Sequence, residues 1–453
     1  MAIGQSLKPL KIGIVGAGFS GTALALDLSR QSQIPIEIFL FEKRERFGVG
    51  EAYSTPYPFH LLNIRAHDMS AFAEQPDHFV NWLNSNQEAS AYLGPGLAVS
   101  EQFVPRLLYG HYLQDLLRGV PSDAITRVQA EVVDIIPQQN QACLILRDQQ
   151  EVKVDKVVLA LGHAQSSFPF PVSAAVNCIH AWDYTAPSHI GKQDPVFIIG
   201  TGLSMIDVVL TLYHQGHQGK IYALSRHGLL PLPHAENRVP VVDWQDNLEV
   251  GLIGLTKKVR QQSQSYINAG NDWRSIINAM RTHIPSLWAK ANLLEKKQFM
   301  RHLLPYWNIH RHRVNAHLAN LLYQLSSQQQ LHILAGRVKE VTEGKAIIQL
   351  RAAKKTQQIN VNWLINCMGP SFLSQTQSPL IHALLRSGLV SLDPLNLGFA
   401  MVSPGVLKEK SGRISSMFYS LGPPAKSIYW ESNAVPEIRK QSLDLARHLL
   451  NMS

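Results

Sequence analysis

The sequence predicts an α/β fold in which a strand–helix–strand unit occurs twice and a helical insertion follows the second copy. Residues 11–42 and 194–228 each show an apolar run, a glycine turn, a helical stretch and a second apolar run. Residues 236–322 show mainly helical spacing of their apolar side chains. Strands and helices that alternate in this order build parallel sheets covered by helices. We therefore expect two α/β domains built on the same plan.

The first copy carries a glycine fingerprint between its strand and its helix. The apolar run ends in the turn Gly16, Ala17, Gly18, Phe19, Ser20 and Gly21. The first glycine allows a tight turn, the second lets the backbone approach a pyrophosphate, and the third lets helix and strand pack closely. Unpaired N–H groups at the helix N-terminus would face the phosphates. Glu42 ends the second strand, where a carboxylate accepts hydrogen bonds from a ribose diol.

The second copy repeats this pattern at a constant offset. The offset matches Gly16 with Gly200, Gly18 with Gly202, Ser20 with Ser204 and Glu42 with Arg226. A carboxylate would repel a 2′-phosphate, whereas a guanidinium binds it in a charge-assisted contact. We therefore expect two Rossmann-like dinucleotide-binding domains, the first for FAD and the second for NADPH in preference to NADH. If Arg226 is only a surface residue, His227 is the next candidate for this contact.

The composition is that of a globular protein with more than one domain. The chain has 453 residues, of which 45% are hydrophobic and 17% charged, enough apolar material for two or three cores. We recognise neither a charged leader nor a membrane span, so we expect a cytoplasmic protein. The net charge of +9 is spread over single residues and short pairs, which disfavours nucleic-acid binding. It fits either a positive lining for anionic cofactors or a solvated basic surface.

The cysteines do not form a recognisable set. Cys143, Cys178 and Cys367 lie far apart in the sequence, without a CxxC spacing. The sequence therefore predicts neither a disulfide framework, nor a zinc site, nor a redox-active dithiol.

The run HRHR places two histidines and two arginines close together. His310 and His312 could share one face of a strand, but no nearby carboxylate or thiolate completes a ligand set, so we expect no metal. Arg311 and Arg313 would then lie on the opposite face of that strand. Either pair could hold an anion, and a structural polar cluster is an equal alternative.

Two features divide the chain. Residues 165–172 form a link rich in Pro and Ser, and the strand–glycine pattern of residues 154–163 recurs at 361–370. We predict that residues 1–165 and 371–453 form an FAD-binding domain. Residues 166–370 would form the NAD(P)-binding domain, in which the helical segment 236–322 is a possible substrate region.

Five motifs carry a family resemblance. They are GxGxSG at 16–21, LLN with a following MS at 61–63 and 69–70, the SR-G turn at 225–228, WxxHRHR at 307–313 and WExxAVPxIR at 430–439. With these motifs the chain resembles the bacterial FAD/NAD(P)-binding oxidoreductases, which are related to the flavin-containing and N-hydroxylating monooxygenases. The resemblance spans essentially the full length and implies two three-layer ββα domains that bind FAD and NADPH.

The resemblance also implies roles for single residues. It places Asn63 beside the flavin as a catalytic residue and Arg106 on the FAD side. Gly422 stands where many relatives have a glycine–aspartate pair that holds the ribityl chain, although Pro423 follows it here. Trp430 either closes over the flavin or packs in the core.

Three functions follow from these observations. The first is an NADPH-dependent flavoprotein monooxygenase that acts on a small molecule with molecular oxygen, through a flavin hydroperoxide. The second is a flavin reductase that passes electrons to a quinone or another small acceptor; a disulfide reductase is the least favoured of this group, since a thiolate pair is missing. The third is a non-catalytic FAD/NADP-binding module. Substrate identity and oligomeric state are left open by the sequence.

Overall fold

A computed structural model describes residues 8–240, 242, 251–353 and 355–451 of the chain. It divides into two compact units. Unit 1 comprises residues 1–58, 64–165 and 371–453, and unit 2 comprises Phe59–Asn63 and Ser166–Pro370. Among the described residues, none of the helices combines the length and the apolar character that a membrane span requires.

The strands are numbered in chain order. They are β1 (Leu10–Val15), β2 (Ile36–Glu42), β3 (Ile125–Gln129), β4 (Val132–Pro137), β5 (Ala142–Leu146), β6 (Glu151–Val154), β7 (Lys156–Leu159), β8 (Asn177–His180), β9 (Val196–Ile199), β10 (Ile221–Ser225), β11 (Leu331–Thr342), β12 (Lys345–Leu350), β13 (Gln357–Asn360), β14 (Trp363–Asn366), β15 (Met401–Val402), β16 (Val406–Lys408) and β17 (Ile414–Ser420).

The helices are numbered in the same way. They are α1 (Phe19–Gln31), α2 (His78–Ser85), α3 (Gln87–Ser90), α4 (Arg106–Arg118), α5 (Leu203–His214), α6 (Gly251–Asn268), α7 (Arg274–Met280), α8 (Ile284–Lys290), α9 (Leu293–Gln298), α10 (Leu304–Arg311), α11 (Ala316–Ser327), α12 (Pro379–Ser387) and α13 (Val435–Asn451).

Unit 1 is built on a seven-stranded sheet of order β15-β16-β17-β7-β1-β2-β3. The five strands from β17 to β3 are parallel, and the antiparallel strands β16 and β15 extend one edge. A separate antiparallel sheet, β4-β5-β6, completes the unit. The middle strand β1 is fully buried over its last four residues, as an apolar strand between two parallel neighbours should be.

Unit 2 repeats this plan. Its sheet has the order β13-β12-β11-β10-β9-β14-β8, with five parallel strands and an antiparallel pair at one edge. In both units the strand before the glycine turn lies in the middle of the parallel part. The predicted α/β fold with two Rossmann-like domains is confirmed.

The helical insertion is also present, but one local prediction in it is wrong. His310 lies near the end of α10 and His312 follows that helix directly, so the two do not share a strand face. The His310 ring donates from Nδ1 to the Tyr306 carbonyl at 2.8 Å and packs edge-on against Trp273. The described residues hold no group of three or more side chains suited to bind a metal ion.

Within unit 1, α1 and α13 meet at a buried carboxylate. Asp27 on α1 is only 6% exposed, and its Oδ2 accepts a hydrogen bond from Ser442 Oγ on α13 at 2.5 Å. Burial raises the pKa of Asp27 from 3.8 to about 6, against the opposing effects of the Ser442 hydrogen bond and the charge of Arg30. The folded state therefore binds this proton more tightly than the unfolded chain does, so stability is lost as the pH rises through this interval.

We predict that Asp27→Asn removes this loss, because an amide resembles the protonated carboxyl in size and carries no charge. Between about pH 4 and about pH 8, the stability of the variant relative to the native protein should rise by on the order of 2 kcal/mol. Urea unfolding at both pH values measures it. Asp444→Asn, at an exposed position on the same helix, is the control. Parallel stability curves for Asp27→Asn and the native chain would contradict the prediction.

Candidate functional site

The first glycine turn has a backbone geometry that side chains would block. Gly16 has φ +103°, and a Cβ placed on it would lie 2.4 Å from the Ala160 carbonyl oxygen after β7. A Cβ on Gly21 would lie 1.9 Å from the Gly16 oxygen. The Gly16 N–H donates to the Phe41 carbonyl of β2 at 2.9 Å. The turn is thus held against both neighbouring strands, as the fingerprint requires.

Glu42 lies at the end of β2 and contacts the same turn. Glu42 is 9% exposed; its Oε2 accepts from the Ala17 N–H at 3.0 Å and its Oε1 from the Arg44 N–H at 3.2 Å. The structure therefore brings the predicted ribose-binding carboxylate and the predicted phosphate turn together.

The C-terminal part of unit 1 closes on the turn from another side. Gly422 has φ +74°, and a Cβ on it would lie 2.3 Å from Ser20 Oγ. The Gly422 N–H donates to Gln441 Oε1 at 3.3 Å. Gly18, which precedes α1, carries no side-chain cap, so the first-turn N–H groups of that helix are not taken by a capping side chain. These features fit a bound pyrophosphate.

The second glycine turn repeats the first in unit 2. Gly200 has φ +111°, and a Cβ on it would lie 2.2 Å from the Cys367 carbonyl oxygen after β14. Gly202 precedes α5 without a side-chain cap, and a Cβ on it would meet nothing within 4 Å. Met205, at the place of the third glycine, is fully buried in the core of the unit. The phosphate turn is thus kept without the third glycine.

The strand register corrects one prediction by a single residue. Phe41 accepts the hydrogen bond from Gly16, but its counterpart in unit 2, the acceptor of the Gly200 N–H, is Leu224. The residue after Phe41 is Glu42, whereas the residue after Leu224 is Ser225. The segment between turn and strand is one residue shorter in unit 2, so Ser225 and not Arg226 lies at the position of Glu42.

Ser225 is anchored as Glu42 is, but without a charge. Its Oγ accepts from the Gly228 N–H at 3.0 Å and lies 2.9 Å from Thr201 Oγ1. The Thr201 hydroxyl is also 2.6 Å from the Leu229 carbonyl, which can only accept. Thr201 therefore donates to that carbonyl and accepts from Ser225.

Two arginine side chains lie just beyond Ser225. Arg226 is exposed, and Arg351 Nη1 donates to His227 Nδ1 at 2.5 Å. The Arg351 backbone is fixed by a hydrogen bond to Ala335 on β11, the residue paired with Ser225. Burial and the charges of Arg351 and Arg226 lower the pKa of His227. Sequence reasoning missed Arg351, because its place depends on a strand pairing distant in the chain.

The remaining predicted residues lie in different places. Asn63 is exposed, and its carbonyl accepts from His234 Nε2 at 2.9 Å within unit 2. Arg106 begins α4 in unit 1, near Tyr53. Trp430 is 7% exposed, with Lys426 Nζ 4.4 Å from its ring centroid. Their predicted contacts with the flavin stay predictions.

Two basic groups in unit 1 were also missed. Burial and the charge of Lys426 lower the pKa of His163 to about 4, and burial lowers the pKa of Lys426 despite the opposing charge of Glu431. His163 follows the glycine after β7, and Lys426 follows the Gly422 turn. The only signal in the sequence was that each residue comes after a glycine that closely follows a strand.

A family model and a curated protein each match part of this chain. Residues 13–164 match the FAD-NAD(P)-binding family model. The uncharacterized protein YdhS of Escherichia coli (strain K12) is 27% identical over 345 residues, which cover 64% of this chain and 60% of YdhS.

Two solved structures show the same fold. One is the reduced form of ornithine hydroxylase (PvdA) from Pseudomonas aeruginosa, at 13% identity and a TM-score of 0.69, covering 98% of this chain and 99% of that chain. The other is the ornithine N-hydroxylase KtzI of Kutzneria sp. 744 with reduced FAD, NADP⁺ and L-ornithine, at 12% identity and a TM-score of 0.63, covering 98% and 100%.

The first glycine turn and the family match together define the domain formed by residues 13–164. Residues 13–164 form an FAD/NAD(P)-binding domain.

We predict that Gly422→Ala weakens FAD binding by about tenfold or more, because its Cβ would displace Ser20 from the phosphate turn. Fluorescence titration of the apoprotein with FAD measures the affinity. Gly412→Ala is the matched control, since Gly412 has φ +86° but open space around its Cβ position. Equal losses in both variants would show that backbone strain and not the contact with Ser20 matters.

Proposed function

We propose that the protein is an NADPH-dependent, FAD-containing monooxygenase of a small molecule. In this reaction NADPH supplies two electrons and a proton is taken up, one oxygen atom of O₂ enters the substrate, and the other leaves as water. The bound flavin supplies the electron transfer and the oxygen chemistry. The chain itself supplies binding, orientation and exclusion of water.

The observation that carries the proposal is the contrast between the two glycine turns. Both have the same backbone geometry, but β2 ends in Glu42, whereas β10 ends in Ser225 and is followed by Arg226. A carboxylate suits a ribose diol, and its replacement by serine removes the repulsion of a 2′-phosphate. Arg226 and Arg351 then offer charge-assisted contacts to that phosphate.

The cysteines support oxygen chemistry over disulfide reduction. Cys143, Cys178 and Cys367 are free and lie in β5, in β8 and after β14, respectively. Burial raises the pKa of each thiol, so none is held as a reactive thiolate. Free thiols also agree with a reducing compartment, and we propose a cytoplasmic location.

The structural neighbours support the choice of reaction. Both solved structures described above are named as hydroxylases of ornithine, and one of them was solved with reduced FAD and NADP⁺. We therefore take L-ornithine as the first probe of this chain. Asn63, which the family resemblance places beside the flavin, is the residue we propose to position the nicotinamide or the substrate there.

We predict that Arg226→Ala weakens NADPH about 10- to 150-fold, since a charge-assisted contact contributes on the order of 1.5–3 kcal/mol. NADH should be almost unaffected, because it has no 2′-phosphate. Ser225→Glu should shift preference further toward NADH, since it restores a carboxylate at the position of Glu42. The rate of flavin reduction at subsaturating cofactor measures both. Arg260→Ala, an exposed arginine on α6, is the control, and an unchanged NADPH to NADH ratio in both variants would sink the assignment.

We predict that O₂ is consumed as a substrate. With L-ornithine, NADPH and ¹⁸O₂, mass spectrometry should find one ¹⁸O atom in the product, because one atom of O₂ enters the substrate. The parallel measurement is NADPH oxidation under nitrogen with menadione as electron acceptor. Fast anaerobic oxidation that tracks menadione, with no labelled product from L-ornithine or related amines, would favour a quinone reductase instead.

A further inference from the structure

A cluster of arginines lies in the helical part of unit 2. The two glycine turns give this part of the chain no role in cofactor binding. Arg311 ends α10 and Arg313 lies two residues further on; they are 8% and 6% exposed. Arg274 begins α7, and Arg281 follows the same helix. The charges of Arg311, Arg274 and Arg281 all lower the pKa of Arg313, while Asp272 raises it.

Arg274 has a structural role in this cluster. Its Nε and Nη2 donate to the Pro233 carbonyl at 3.0 and 2.8 Å, and its Nη1 donates to Asp272 Oδ2 at 2.9 Å. Its guanidinium also packs 4.8 Å from the Trp273 ring centroid. Asp272 is thus bonded to Arg274, and in the described part of the chain no hydrogen bond joins it to Arg313.

Arg313 is held differently. Val314, the next residue, bridges to Pro233, which fixes the backbone of Arg313 beside the segment that holds Arg274. Arg313 Nη2 donates to Asn278 Oδ1 at 2.5 Å, a neutral acceptor on an exposed side chain of α7. Arg313 Nε is buried and has no hydrogen-bond partner among the described residues. A buried guanidinium with an unpaired donor costs free energy unless an anion accepts a hydrogen bond from that donor.

Burial is the main cause that lowers the pKa of Arg313, to about 10. The side chain therefore still carries its positive charge at neutral pH. Guanidinium groups bind carboxylate and phosphate oxygens with paired, directional hydrogen bonds.

We infer that Arg313, with its neighbouring arginines, forms a binding site for an oxyanion, a carboxylate or phosphate group of a small molecule. Asn278, which accepts the hydrogen bond from this guanidinium, is itself an exposed residue. Pro233, which anchors Arg274, is followed by His234, whose ring holds the Asn63 carbonyl. If the proposed function holds, the molecule bound here is the substrate, so the substrate class is an anionic small molecule.

The binding test uses the full chain with FAD bound and NADP⁺ at saturation, so that the two cofactor phosphate sites are taken. Inorganic phosphate and glutarate are titrated separately at constant ionic strength, by calorimetry and by the midpoint of thermal unfolding. We expect at least one of them to bind and to raise the midpoint. Which of the two binds more tightly distinguishes a phosphate from a carboxylate ligand. Failure of both to bind beyond a matched sodium chloride titration would overturn the inference.

Two variants test the role of Arg313. Arg313→Gln should weaken the anion by about tenfold or more, and Arg313→Lys should recover part of the affinity because it keeps the charge. Asn278→Asp leaves Arg313 in place and sets a carboxylate against it from an exposed position, so it should fold and should weaken the anion by a similar factor. Arg260→Gln on α6 is the control. Unchanged affinity in Arg313→Gln and Asn278→Asp would place the anion elsewhere.

A comparison of two amines separates this inference from the proposed reaction. Putrescine is L-ornithine without its carboxylate, so only L-ornithine can use the arginine site. We expect L-ornithine to compete with glutarate and putrescine not to compete, whether or not either amine is oxidised. Competition without oxidation would leave the anion site standing and count against the reaction, whereas equal behaviour of both amines would count against a carboxylate site.

Discussion

Both units depend on one close contact, that of a glycine with the backbone of the next parallel strand. Gly16 approaches the Ala160 carbonyl and Gly200 the Cys367 carbonyl so closely that no Cβ fits. Both glycines also have positive φ, which L side chains rarely adopt. This contact lets the chain turn sharply from the middle strand into α1 or α5. It thereby sets each helix N-terminus at the carboxyl edge of its sheet, where anions are bound.

The two turns differ in charge and not in shape. In unit 1 the Glu42 carboxylate is bonded to the Ala17 N–H of the turn. In unit 2 the neutral Ser225 takes that position, and Arg226 and Arg351 lie just beyond it. Because the backbone is the same, we propose that the choice between a ribose diol and a 2′-phosphate rests on these few side chains.

The helical part of unit 2 presents the opposite case, a set of cations brought together without a glycine turn. Arg274 is satisfied by a carbonyl and a carboxylate, so it stabilises the segment around Pro233. Arg313 is buried with only a neutral partner and one unpaired donor among the described residues. An unpaired buried donor is costly, which supports the anion site proposed at Arg313. Arg274 thus stabilises the fold, whereas Arg313 has the proposed binding role.

Residues 11–42 and 194–228 show what the sequence determined by itself. Strand periodicity, helical spacing and glycine turns act over a few residues, so the two-unit fold and the first cofactor turn were predictable. The place of Ser225 was not, because helix and loop lengths shift the register by one residue. Nor was the helical state of His310, the hydrogen bond of Arg351 to His227, or the closeness of the Lys426 charge to His163. Those contacts join residues far apart in the chain, and only tertiary packing decides which of them meet.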